Sequence, residues 1–261
     1  LGELGDKLRA RQAEASDLVK GMNDLLADVK TSQGIRVRLD WSLREDAGQD
    51  VHDAVALLGR AALVGLRDAG IAGVIKHVPG HGRAQADSHA SLPHVEVGTQ
   101  ALAQDISVFK ALSDAPMAMT AHVVYDALDP ELPATLSPSL ISQVIRKDIG
   151  FDGLLMTDDI SMKALSAVHD QATNADSAFH AGADIAMFCH GSIEARLAFI
   201  AACPPLTGIS LARAQRAESY AAQPLLPFDT EAAWAKFGKL TGFGRNIVYS
   251  VSADPTDKAW A

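Results

Sequence analysis

The stretch AGVIKHVPGHGRAQADSHASLP, residues 72–93, sets the terms for the fold, because a short apolar run opens directly into a polar segment crowded with ionisable groups. After Val74 and Ile75 come Lys76, His77, His81, Arg83, Asp87 and His89, with two glycines and almost no apolar content, and His94 follows at once. A segment of this composition does not build a core, so it belongs at the end of a buried strand, where loops carry chemistry. Two later runs end the same way. PMAMTAHVVY (116–125) carries His122 past its apolar start, and GLLMTDD (153–159) closes on Asp158 and Asp159.

Between these runs the periodicity changes to that of helices. Helical spacing appears at Leu18, Val19, Met22, Leu25, Leu26 and Val29, and again at Val51, Val55, Leu58, Ala62 and Leu66. A further helix is expected after Ser137, with Ser137 as cap, Pro138 in the first turn, Leu140, Val144 and Ile145 as its stripe and Gly150 as its end. IRVRLDW (35–41) and DIAMFCH (184–190) add two more strand candidates. Alternating strands and helices imply parallel strands with crossover helices. A doubly wound sheet would gather ligand groups at one switch point beside a glycine-rich phosphate loop, and GHG lacks that spacing and is followed by no helical stripe. Ionisable groups at three successive strand ends fit a (β/α)8 barrel, whose strand ends all open on one face. Five strand candidates are fewer than eight, so the expected fold is an α/β barrel of the TIM type whose amino-terminal strands lie outside this chain. Residues 1–225 are read as its catalytic domain and 226–261 as a carboxy-terminal extension. Such a sheet, with apolar edges open, is expected to self-associate.

Composition narrows the function. The 261 residues carry a formal net charge of −9, with no basic cluster, which argues against nucleic-acid and anionic-membrane partners and for a small-molecule substrate. Cys189 and Cys203 cannot form a disulfide framework, and no apolar run reaches the length of a membrane span, so a cytoplasmic setting is expected.

The polar segment itself admits three readings. His77, His81, His89 and Asp87 are possible zinc ligands, but H-x3-H on a Pro-Gly loop lacks the helix that would hold both rings. Asp87-Ser88-His89 can form a proton-transfer dyad, the carboxylate orienting the ring and raising its basicity. Loop histidines can also simply bond to backbone groups. In MTDDISMKAL (156–165), Asp158 at a strand end can serve as a nucleophile, while one of Asp158, Asp159 and Ser161 caps the following helix.

KHVPGHG (76–82), DSH (87–89), TAHVVYDALDP (120–130), ATLSP (134–138) and MTDDISMKAL resemble, in order and spacing, the family-3 glycoside hydrolases of the bacterial β-N-acetylhexosaminidase branch, over about residues 1–215. The resemblance implies a (β/α)8 barrel, Asp158 as nucleophile, His89 as acid/base paired with Asp87, and Lys76 and His77 as sugar-holding residues, with no cofactor or metal. It further implies retaining hydrolysis of terminal β-linked N-acetylhexosamine from peptidoglycan fragments. The family's D-Q-E-G-G-R segment has no counterpart here, Arg44 in LDWSLREDAGQD is the only match for its substrate arginine, and Asp40 is the equivalent of a strand-end aspartate. Two alternatives stand beside this: a zinc hydrolase using His77, His81 and His89, and a non-catalytic homologue that binds a sugar or a protein.

Overall fold

A computed structural model describes residues 48–166, 168, 170–221 and 229–241. The expected helix near 18–29, the strand at 35–41, Asp40, Arg44 and the tail beyond 241 lie outside the described residues. The compact unit Asp46–Leu226 contains every described strand; α8 (Thr230–Thr241) belongs to a second unit and stands here by itself.

Chain order in the larger unit is α1 (Gly48–Asp68), β1 (Val74–Val78), β2 (His94–Val95), α2 (Thr99–Lys110), β3 (Met117–Thr120), β4 (Val124–Tyr125), α3 (Leu140–Asp148), β5 (Leu154–Asp159), α4 (Lys163–Ser166), α5 (Gln171–Ala181), β6 (Ile185–Met187), α6 (Ile193–Ala202) and α7 (Gly208–Ala221). Strands β1, β3, β5 and β6 form one all-parallel sheet in that order. Strand order follows chain order with no reversal, so this sheet contains no doubly wound switch point. Helices α2, α3 and α5 make the crossovers, as the alternating periods require.

Four of the five strand candidates are present, but 116–125 is two strands rather than one. β3 ends at Thr120, and Val124 and Tyr125 leave the sheet to pair in parallel with His94 and Val95. The break falls at His122, whose ring turns inward to bond Thr135 instead of continuing the ladder. Helix α1 also departs from the expected stripe. Val55 and Leu66 are exposed, while Ala56 and Leu63 pack on the core and Gly59 lies against Leu112. A Cβ on Gly59 would stand 2.9 Å from a Leu112 methyl, so the glycine rather than the larger apolar residues marks the packed face.

Helix α3 begins where expected, with the Leu140 N–H donating to Ser137 Oγ at 3.0 Å. It is wound more widely than an α-helix, and its end shows the i→i+5 bond from Ile149 N–H to the Val144 carbonyl at 2.8 Å. Wider winding puts residues one and five apart on one side, which is why Leu140, Ile141 and Ile145 are the buried set. Gly150, with φ 77°, ends it in a conformation that costs a glycine little. Together with Ile75, Val78, Ala118, Leu155, Leu102 and Ile106 these side chains make the core between sheet and helices.

Charge divides the sheet into two ends. Before β6, the buried Asp184 accepts from Leu155 N–H, Arg146 Nη2, Ser210 Oγ and Arg213 Nη1, at 2.6–3.1 Å. Every donor there belongs to the fold. At the carboxyl ends of β1, β3 and β5 stand His77, His122 and Asp158.

Candidate active site

Strand alternation separates the two carboxylates of β5. Side chains two apart share a face, so Asp158 follows Met156 while Asp159 follows the buried Thr157. Asp159 is fully engaged: Oδ1 accepts from Ser161 N–H at 2.9 Å and from Cys189 N–H at 3.0 Å, Ser161 Oγ lies 2.7 Å from both oxygens, and His190 Nε2 lies 3.5 Å from Oδ2. It closes the turn into α4 and ties β5 to the end of β6. Asp158 is different. Its Oδ1 accepts the Asp159 N–H at 2.8 Å, and Oδ2 has only a loose contact, 3.4 Å, with His77 Nε2. With 16% of the side chain accessible, one carboxylate oxygen remains open to an incoming group.

His77 comes from β1, where a register shift between Lys76 and Val78 interrupts pairing with β3. The Lys76–His77 and Val78–Pro79 peptide bonds are both cis. Burial lowers the His77 pKa below the ordinary histidine value; Asp158 opposes that shift, and Lys76, His81 and His122 add to it. Burial thus favours the neutral ring, with Nε2 on the Asp158 side. Lys76 is exposed and makes no hydrogen bond or ion pair with the described residues.

His122 is a brace. Its Nε2 is 3.0 Å from the Asp159 carbonyl, which can only accept, so Nε2 is protonated. Burial lowers this pKa too, against the pull of Asp159 and Asp158. The neutral ring must then accept at Nδ1 from Thr135 Oγ1, 2.7 Å away, and Thr120 Oγ1 supports that hydroxyl at 2.8 Å. Three buried polar side chains thus hold the backbone of the Asp158-Asp159 turn.

His89 and Asp87 meet as a pair. His89 Nδ1 lies 2.8 Å from Asp87 Oδ1, and the His89 backbone N–H reaches the same oxygen at 2.9 Å. That backbone bond, followed by the ring, holds the Asp87 carboxyl below its usual range. Nδ1 is consequently the protonated nitrogen, and Nε2 points the exchangeable site outward. Both side chains are exposed, 75% and 67%, and neither contacts Asp158. Between the pair and Asp158 stands His81, its ring centroid 5.8 Å from that of His77 and its Nε2 3.4 Å from the buried Ser88 Oγ.

The structure therefore joins Asp158 to His77 and Asp87 to His89, leaves Lys76 exposed and leaves Arg44 outside the described residues. Among the described residues no group of three or more His, Cys, Asp or Glu is arranged to hold a metal ion. His122 was legible as an ionisable strand end, but its partner Thr135 was not, because the contact spans 13 residues of chain. Nothing local marked Ser88 or His81 as links.

The sequence model of the glycosyl hydrolase family 3 N terminal domain matches residues 38–204. A beta-hexosaminidase of Hydrogenovibrio crunogenus is 34% identical over 208 residues, which cover 75% of this chain and 58% of that protein. Another, from Alkalilimnicola ehrlichii, is 40% identical over 141 residues, 53% of this chain and 40% of the relative. Among solved structures, NagZ from Neisseria gonorrhoeae in complex with N-trifluoroacetyl-D-glucosamine superposes with a TM-score of 0.60 at 30% identity, covering 72% of this chain and 56% of its own. A family 3 beta-N-acetylglucosaminidase from Paenibacillus gives 0.61 at 31%, covering 68% and 37%. The chain spans about half the length of the curated relatives it matches.

Proposed function

The chain belongs to glycoside hydrolase family 3, and on that premise we propose that it serves as a retaining glycosidase releasing terminal β-linked N-acetylhexosamine, chiefly N-acetylglucosamine, from peptidoglycan-derived fragments in the cytoplasm. The observation that carries the reading is the unequal use of two adjacent carboxylates. Asp159 is saturated by donors of the fold, whereas Asp158 keeps Oδ2 open at a strand end. The sequential parallel order of β1, β3, β5 and β6 supports an arc of a (β/α)8 barrel; in this reading residues 1–225 are the catalytic domain and 226–261 an extension.

In this reading Asp158 Oδ2 attacks the anomeric carbon while imidazolium His89 gives its Nε2 proton to the departing oxygen. The bond to the aglycone breaks as the bond to Asp158 forms. Neutral His89 then takes a proton from water, whose oxygen attacks the anomeric carbon and frees Asp158. Asp87, kept anionic by the His89 N–H, stabilises the imidazolium. Lys76, His77 and Arg44 hold the sugar, and no metal takes part.

Kinetics on two leaving groups test this. Asp158→Ala should lose at least about 10³-fold in kcat on both an aryl and a disaccharide N-acetyl-β-glucosaminide. His89→Ala should lose about 10²-fold or more on the disaccharide but much less in the first step on a nitrophenyl glycoside, where the phenol leaves unaided and the covalent intermediate accumulates as a burst. Equal loss on both substrates with no burst would refute the assignment of His89.

A further inference from the structure

The segment bearing Asp87 and His89 is fastened at three places by residues outside it. Tyr125 Oη donates to the Gly80 carbonyl at 2.7 Å, and Ala164 N–H, at the start of α4, donates to the Ser88 carbonyl at 3.2 Å. Between them Arg83 forms a two-bond ion pair with Asp105 on α2, Nε to Oδ2 at 2.5 Å and Nη2 to Oδ1 at 3.2 Å. His52 Nε2 of α1 lies 3.0 Å from the same Oδ1, so Asp105 joins two helices to the segment. Asp105 is held by its neighbours, since Leu102 and Ile106 of α2 are buried in the core. Arg83 stands four residues before Asp87. A planar fork on a half-buried carboxylate fixes direction as well as distance, which a flexible ammonium would not.

We propose that Arg83 and Asp105 are positioning residues for the acid/base step: their ion pair latches the segment 81–91 onto α2 and sets where His89 stands relative to Asp158. This rests on the function proposed above. The three anchors, at Gly80, Arg83 and Ser88, flank the Asp87–His89 pair.

The segment contains its own reporters, because the amides of Ala84, Ala90 and Ser91 are hydrogen-bonded within it and the Ala164 amide is bonded across to it. In the full chain, Arg83→Met keeps the apolar stem and removes the fork. These four amides should then exchange about tenfold faster, while the Leu154 and Leu155 amides of β5 keep their rates. On the disaccharide kcat should fall about tenfold with KM within about twofold, and formation of the glycosyl-enzyme from the nitrophenyl glycoside should change less than about threefold. Arg83→Lys, with charge but no fork, should fall between, and Asp105→Asn should reproduce Arg83→Met. Unchanged amide exchange in Arg83→Met, with the parent chain active, overturns the latch and leaves the glycosidase reading intact. Faster exchange with both rates unchanged overturns the positioning role. A parent chain that turns over neither substrate overturns the glycosidase reading, and the positioning role with it.

Discussion

At the residue scale, Asp159 is engaged by the fold while Asp158 keeps one oxygen open, and in the proposed function that open oxygen does the chemistry. Asp159 is buried and accepts from donors on α4's approach and on the end of β6, so Asp159→Ala leaves two backbone N–H groups and the Ser161 hydroxyl unsatisfied. A loss of about 2–4 kcal/mol in urea unfolding is expected. Asp158→Ala should stay within about 1 kcal/mol of the parent while abolishing turnover, since only one neighbouring amide depends on it. Comparable destabilisation by both would contradict the division of labour. His122 adds a pH dependence. Its folded pKa lies below the unfolded value near 6.5, so between the two the unfolded chain binds more protons. The stabilisation is complete above about pH 7 and is lost as pH falls through 6.5 toward the folded pKa, with a slope of up to about 1.4 kcal/mol per pH unit. His122→Gln should flatten the curve of unfolding free energy between pH 5 and 7. Asp87, whose pKa is depressed, acts in a separate window near and below its ordinary carboxylate range.

Elements were legible to different depths. Strands β1, β3, β5 and β6 declared themselves by apolar runs ending in polar groups, and the start of α3 by Ser137. Less visible was the packed face of α1, because the contact there is made through Gly59, which carries no apolar signal. The division of 116–125 into β3 and β4 was hidden for a related reason. His122, Val123 and Val124 read as continuous strand, and it is the Thr135 hydroxyl and the Asp159 carbonyl that hold the histidine inward. At α3 the buried Ser137 hydroxyl accepts from Leu140 N–H and donates to the half-buried Asp129 Oδ2 at 2.5 Å. Ser137→Ala should cost about 1–2 kcal/mol, read as a lower thermal midpoint with the site's kinetics unchanged.

For the molecule as a whole, one end of the sheet is built for stability and the other is left with open valences. Asp184, its side chain 2% exposed, pairs with both Arg146 and Arg213, the latter shared with Asp152, and caps the start of β5 through the Leu155 amide. Asp184→Ala would leave the half-buried Arg146 without a carboxylate partner, Arg213 keeping Asp152, and a loss of about 3–5 kcal/mol is expected by chemical denaturation. The sequence alone determined the alternation of strands and helices, the parallel sheet that follows from it, and the placing of Lys76, His77, His122 and the Asp158-Asp159 pair at strand ends. Those are consequences of local periodicity and of where an apolar run stops. Only tertiary structure decided which of two adjacent carboxylates is spent on the fold, that His122 is a buried brace, and that Arg83 is bound to Asp105. Each depends on a partner 13 to 37 residues away, and hydrogen-bond saturation is a property of the neighbours a side chain meets rather than of the side chain itself.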